Sequence, residues 1–303
     1  MNALIIGYGS IGMRHARILE VLGCHVAIVS LRKTDHATTY EDLTVALSVE
    51  KPDYIVIANQ TSQHHDTLSK LAELEYKGIV LVEKPLFSQS LNLPPLPFKK
   101  VYVGYNLRFH PVVQRLKSLI EGQVVLSVMA YAGQYLPNWR PDSDYKQSYS
   151  AHAKRGGGVI RDLSHELDYL IWLFGEWTKV NGVGGHFSSL EIDSDDVFSL
   201  MISTQLCPVL SLQMNYLDRV GRRFILINTD KHTIKADLVN GIVMVDGDSE
   251  SFSTERDFTY QKMHDAILNY DGGDSCTLNE GQVVIHLIES AELSSKNLRW
   301  VEQ

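Results

Sequence analysis

The chain has 303 residues, 44% hydrophobic and 21% charged, an ordinary globular composition long enough for two cores. Its formal net charge of -8 argues against nucleic acid or an anionic membrane as the main partner, since both attract basic surfaces. Cys24, Cys207 and Cys276 are spaced for neither zinc nor a disulfide framework, and the short apolar start lacks a basic leader. No stretch nears the roughly eighteen apolar residues a membrane span needs, so a cytoplasmic protein without metal is expected.

In chain order, residues 3–6 read as a strand, 11–22 as a helix and 26–31 as a second strand; 54–58, 79–82 and 101–104 are further short apolar runs. Buried parallel strands look like this, and their alternation with helices predicts a doubly wound α/β domain. Between residues 85 and 101, Pro94, Pro95 and Pro97 argue against a long crossover helix. From about residue 124 the pattern changes. Runs at 197–202, 209–216, 224–228 and 242–245 suggest a large, mostly antiparallel sheet. A helix over 159–174, stopped by Gly175, and a last helix over 282–296 accompany it. The expected fold is a doubly wound α/β domain over 1–121 followed by an α+β domain with a large, mostly antiparallel sheet over 122–303. The last helix is placed to pack back on the first domain.

Gly7-Tyr8-Gly9-Ser10-Ile11-Gly12 follows the first strand and opens a helix. The first glycine permits a tight turn, the second lets a pyrophosphate approach the backbone, and the third lets helix and strand pack closely. With strand, turn, helix and strand all present, a dinucleotide site is expected at Gly7, Gly9, Ser10, Ile11 and Gly12; a glycine turn without a ligand is the alternative. An acidic residue about twenty positions on would accept the ribose hydroxyls of NAD. This chain has Ser30, Arg32 and Lys33 there, which favours NADP(H) over NAD(H), unless the two cations are simply solvated loop charges.

Glu83-Lys84-Pro85 ends the fourth apolar strand, and ligands of open parallel sheets bind at carboxyl ends of strands. Lys84 there is suited to give a proton to, or take one from, a reacting oxygen. Further on, three glycines precede Asp162, His165, Glu166 and Asp168. Asp162, His165 and Asp168 would lie near one helical face, where carboxylate and imidazole suit substrate positioning and proton relay. A capped core helix with a satisfied histidine is the competing reading. His165-Glu166-x-Asp168 lacks the second histidine a metal site would want.

Together these pieces resemble the Gfo/Idh/MocA family of glucose-fructose oxidoreductase and inositol dehydrogenase. The match runs through residues 7–15, Ile57-Ala58-Asn59 with His64, Glu83-Lys84-Pro85, Gly104-Tyr105-Asn106 with Arg108, and 156–175. The resemblance implies a Rossmann domain followed by an open-faced α/β domain with substrate held between them, that Ala58, Asn59, His64 and Glu83 join the cofactor site, and that Lys84, Asp162 and His165 are the catalytic lysine, aspartate and histidine. The family usually spaces aspartate and histidine by four residues, so either His165 or Glu166 fills the histidine's place. Residues 134–150 look like a subgroup linked to bacterial surface-sugar biosynthesis. There Tyr135, Trp139, Arg140 and Tyr145 suit a polyhydroxylated or carboxylated ligand, although an ordinary exposed loop would read similarly. Arg108 either contacts substrate or braces the domain junction.

The resulting expectation is an NADP(H)-dependent oxidoreductase acting at a secondary alcohol or ketone carbon of a sugar, cyclitol or nonulosonic-acid-like substrate. The rivals are an epimerase or glycoside-eliminating enzyme with tightly held cofactor, and a non-enzymatic NADP(H)-sensing regulator. An open sheet face implies a homodimer or homotetramer.

Overall fold

The computed structural model describes residues 1–91, 93, 95–141 and 143–303. The chain forms two compact units, residues 1–109 with 256–282, and residues 110–255 with 283–303. The expected division at 121/122 therefore moves to 109/110, and a segment after residue 255 returns to the first unit. The displacement has a packing cause. Helix α4 (Pro111–Ile120) buries Val112, Val113 and Leu116 and packs with strands and a helix of the second unit.

In the first unit, β1 (Asn2–Ile6), β2 (His25–Val29), β3 (Thr39–Tyr40), β4 (Tyr54–Ile57), β5 (Ile79–Val82), β6 (Lys100–Val103) and β15 (Cys276–Thr277), numbered in chain order, make one sheet. Its order is β15-β6-β5-β4-β1-β2-β3, and every pairing except β15 with β6 is parallel. β1, β2, β4 and β5 are buried along nearly their whole length, which is why they read as continuous apolar runs. Helices α1 (Ser10–Val21), α2 (Leu43–Glu50), α3 (His64–Glu73) and α7 (Phe258–Asn269) accompany them. Ala16 and Leu19 of α1, and Met263 and Ile267 of α7, share a core with Ile5, Ile28, Val56 and Leu81. The described residues between β5 and β6 carry neither helix nor strand, as Pro95 and Pro97 imply; Pro94 lies outside the described residues.

The second unit is built on β7 (Val125–Gly133), β8 (Trp177–Gly185), β9 (Val197–Thr204), β10 (Leu210–Asn215), β11 (Arg222–Thr229), β12 (Thr233–Asp237), β13 (Ile242–Val245), β14 (Asp248–Ser251) and β16 (Val301–Glu302). Among the described residues they form a nine-stranded sheet, antiparallel except where β7 meets β10. Inward residues alternate with outward ones, and Leu126, Met129, Val183 and Met201 are exposed on the outward face. The expected single helix over 159–174 is two pieces, α5 (Val159–Asp162) and α6 (Ser164–Phe174), broken at Leu163. Helix α8 (Leu278–Asn297) begins four residues before the expected one. Among the described residues no helix is long and apolar enough to cross a membrane.

Candidate active site

The parallel registers align the carboxyl ends of the first unit's strands. Ile6 pairs with Val29 and Ile57, Ile57 with Val82, and Val82 with Val103. The ladder continues one residue further: Gly7 donates to Val29 (3.0 Å), Ala58 to Ile6 (2.8 Å), Glu83 to Ile57 (2.9 Å) and Gly104 to Val82 (2.8 Å). Gly7, Ser30, Ala58, Glu83 and Gly104 thus form one row, with Asn59 and Lys84 a residue beyond it. Five of the residues expected to hold a dinucleotide, Gly7, Ser30, Ala58, Asn59 and Glu83, are at this one edge of the sheet.

The glycine turn has the geometry its sequence demands. Gly7 has φ +95°, and a Cβ there would lie 2.6 Å from the Asn59 amide nitrogen; one on Gly12 would lie 2.0 Å from the Gly7 carbonyl oxygen. At Gly9 a Cβ would meet nothing within 4 Å. Gly9 also caps α1 without a side-chain hydrogen bond, so the amides of the first turn have no competing side-chain acceptor. Beside them, Asn59 donates its side-chain amide to Thr67 (2.8 Å), while its Oδ1 is buried without a hydrogen-bond partner among the described residues. An open approach to a helix N-terminus and an orphaned acceptor nearby fit a bound dinucleotide.

The remaining residues of this row divide by role. Ser30 Oγ accepts from the Arg32 amide (3.1 Å), fixing the turn after β2, while Arg32 and Lys33 are exposed. His64 is buried between the carbonyls of Leu86 (3.0 Å) and Asn59 (3.3 Å), and burial lowers its pKa. It shapes the Asn59 turn from behind. Glu83 is 5% exposed, and its Oε2 accepts from the Lys84 amide (3.1 Å). The Lys84–Pro85 bond is cis. Arg108 is fully buried and paired with Glu280 (2.8 Å). Its guanidinium is committed as a brace within this unit, and it leaves the substrate-reading set.

In the second unit Asp162 closes α5. Its Oδ2 accepts a 2.6 Å hydrogen bond from the buried Tyr216 phenol, and the Tyr149 phenol hydrogen-bonds the same carboxylate. Burial first, then the Asp162 charge, pushes both phenols well above their ordinary pKa, so they remain donors. Asp195 lies alongside. Its Oδ2 accepts from the Ile160 amide (3.1 Å), and burial raises its pKa to about 6. The glycine at 158 makes room for it, since a Cβ there would lie 2.1 Å from Asp195 Oδ1.

The break at Leu163 separates the fates of two neighbours. His165 is half-buried, whereas Glu166 is fully buried with Oε1 2.5 Å from Arg223 Nε. Asp168 is also buried. The loop before α5 forms a small open pocket lined by Trp139, Arg140, Tyr145, Ser148, Tyr149 and Ser150 among others. Tyr149 connects this pocket to Asp162, and Trp139 meets Tyr216 edge-on at 5.2 Å. Tyr135 instead lies beneath the Arg219 guanidinium, 3.5 Å from its ring centre, outside the pocket lining.

Tyr149, Tyr216, Asp195 and Arg223 went unassigned by sequence reasoning. Tyr216 is 54 residues from Asp162, and no local spacing connects them. The acidic run Asp193-Ser194-Asp195-Asp196 was the one visible signal.

A doubly wound sheet with a glycine turn opening its first helix, followed by a helix-backed second sheet, is the architecture of an oxidoreductase with an NAD-binding Rossmann domain, the class its family match gives. Residues 1–92 match the description "Oxidoreductase family, NAD-binding Rossmann fold", and residues 113–235 match the GFO/IDH/MocA C-terminal domain. The chain belongs to the Gfo/Idh/MocA family. It is 26% identical over 143 residues to levoglucosan dehydrogenase of Pseudarthrobacter phenanthrenivorans, covering 45% of this chain and 37% of the relative. An oxidoreductase of Synechocystis, sll0816, is 27% identical over 48% of this chain and 40% of its own length. The matched region therefore spans less than half of either curated relative. A solved levoglucosan dehydrogenase, in complex with NADH and L-sorbose, shares the fold at TM-score 0.86 and 16% identity, covering 100% of this chain and 98% of that one.

Proposed function

We propose that the protein is an NADP(H)-dependent oxidoreductase acting at a secondary alcohol or ketone carbon of a sugar, cyclitol or nonulosonic-acid-like molecule. The observation that carries this reading is the position of Lys84, one residue beyond the row that holds Gly7, Ala58 and Glu83 at the carboxyl edge of the sheet. A bound nicotinamide supplies or accepts the hydride. Lys84 holds at Nζ the proton exchanged with the substrate oxygen, while Asp162 and His165 orient the substrate hydroxyls. Glu166 has no part in this reading, because its carboxylate is buried against Arg223.

Three further observations support the finer points. No carboxylate follows β2 at Ser30, and Arg32 and Lys33 are exposed there to meet a 2'-phosphate. The pocket mixes aromatic rings with serine hydroxyls and Arg140, a lining suited to a hydroxyl-rich ligand, with or without a carboxylate. Exposed Leu126, Met129, Val183 and Met201 on the outward sheet face support homo-oligomerisation through that face.

Lys84→Ala tests the central assignment. The variant retains NADPH binding by fluorescence titration and loses most NADPH-linked turnover across a panel of keto sugars, sugar acids and cyclitols. Turnover near that of the unaltered protein would refute the role given to Lys84.

A further inference from the structure

Three buried polar side chains of the first unit that none of the roles above uses, Tyr54, His264 and His15, form a continuous chain that ends on Glu83. Tyr54 OH lies 3.0 Å from His264 Nδ1, His264 Nε2 lies 2.7 Å from His15 Nδ1, and His15 Nε2 lies 2.8 Å from Glu83 Oε1. Tyr54, His264 and His15 are fully buried. They come from β4, α7 and α1, so the returning segment after residue 255 supplies the middle link, 249 residues from His15.

The direction of these bonds follows from donor counting. A carboxylate oxygen accepts, so His15 donates its Nε2 proton to Glu83 and must then accept at Nδ1. His264 therefore donates from Nε2 and accepts at Nδ1 from the Tyr54 hydroxyl. Every ring nitrogen is satisfied without an added proton on either imidazole. Burial, then the adjacent His15, lowers the pKa of His264 well below the ordinary imidazole value, which keeps that ring neutral. Burial raises the Tyr54 phenol well above its ordinary value, which keeps it a donor. The reverse polarity would need an extra proton in a dry interior and would point an N–H at the phenol oxygen.

The far end of the chain is the Lys84 backbone. Glu83 Oε1 accepts the hydrogen bond from His15 Nε2–H and Oε2 accepts from the Lys84 amide, while Gly104 keeps space beside Oε1, where a Cβ would intrude to 2.8 Å. We propose that Tyr54, His264 and His15 are positioning residues, a one-way hydrogen-bond chain that fixes the Glu83 carboxylate and through it the backbone of Lys84. The proposal rests on the reading of Lys84 given above. It assigns the returning helix α7 a part in holding the site, since His264 joins the Tyr54 hydroxyl to His15.

Nuclear magnetic resonance of the full chain loaded with NADP⁺ tests it. In the unaltered protein, ring ¹⁵N shifts should show His15 and His264 both as neutral Nε2–H tautomers. In Tyr54→Phe, which keeps the ring and removes the first donor, the His15 Nε2–H resonance should move. The Lys84 amide should exchange with solvent about 3- to 10-fold faster, the effect of weakening one ordinary hydrogen bond. An Nδ1–H tautomer or a protonated ring in the unaltered protein would overturn the proposal, and needs no variant to fold. So would an unmoved Lys84 amide in folded Tyr54→Phe. These signals require no substrate, so failure of the chemical role of Lys84, read by Lys84→Ala turnover, is recorded separately.

Discussion

Replacing Tyr216 with phenylalanine isolates one bond at the centre of the second unit. The ring, and its edge contact with Trp139, stay in place; only the 2.6 Å hydrogen bond to Asp162 Oδ2 is lost. A hydrogen bond to a charged partner contributes about 1.5–3 kcal/mol, and here Asp162 is 4% exposed, so water replaces the donor poorly. For a unit of this size, about 2–4 °C of melting temperature accompanies each kcal/mol, giving a fall of roughly 3–12 °C in the second unit's thermal transition. If Asp162 orients substrate, the same loosening lowers turnover about 10- to 100-fold, since each 1.4 kcal/mol is about tenfold. Differential scanning calorimetry and NADPH-linked turnover, measured on one preparation, check both. A variant that melts with the unaltered protein and turns over at its rate would refute the claim that this phenol holds the carboxylate.

Other outcomes follow from the same geometry. Burial raises the Asp195 pKa from 3.8 to about 6, so the folded protein binds the extra proton between those values and this group's penalty grows as pH rises through them. Asp195→Asn should therefore be more stable than the parent at pH 7.5, by at most about 3 kcal/mol, with the difference shrinking below pH 6 and gone near pH 4 in melting curves. Arg32→Ala should raise the Michaelis constant for NADPH about tenfold while leaving that for NADH within about twofold; equal effects on both would end the preference argued from Ser30, Arg32 and Lys33. Glu166→Gln should cost about 3 kcal/mol in unfolding experiments, the low end for breaking a buried pair because Arg223 is partly exposed. His165→Ala should spare stability and reduce turnover, and the opposite pattern would exchange the two roles.

The two halves of the fold were unequally legible. β1, β2, β4 and β5 are buried along most of their length, so their sequences are uninterrupted apolar runs, and the glycine turn follows β1 within a few residues. Local information was enough there. β3 is a two-residue strand, Thr39–Tyr40, added at the sheet edge, and no apolar run marks it. The division at 109/110 was hidden because Pro111 opens α4 so soon after β6 that the helix reads as one more crossover of the first domain. The return of 256–282 was less legible still. Arg14 and Arg17 pair with Asp257, Asn106 bonds Thr259 and His15 bonds His264, and each contact joins residues far apart in the sequence.

The spacing of Asp162 and His165 shows how a local reading of the site fails. On an unbroken helix three residues advance about 300° and four about 400°, so losing one residue swings a side chain by about 100°. That arithmetic made Glu166, four residues after Asp162, as good a candidate as His165. It assumes continuity, which ends at Leu163, where ψ reaches 28° and a second helix starts at Ser164. With the second helix restarted, Glu166 turns inward to the buried side of Arg223 from β11, and His165 keeps the more accessible position. The cation that fixes this outcome lies 57 residues downstream of Glu166, on a strand whose pattern signals only a sheet. The identity of the accessible group is therefore set by a tertiary ion pair that no helical wheel drawn on residues 159–174 contains.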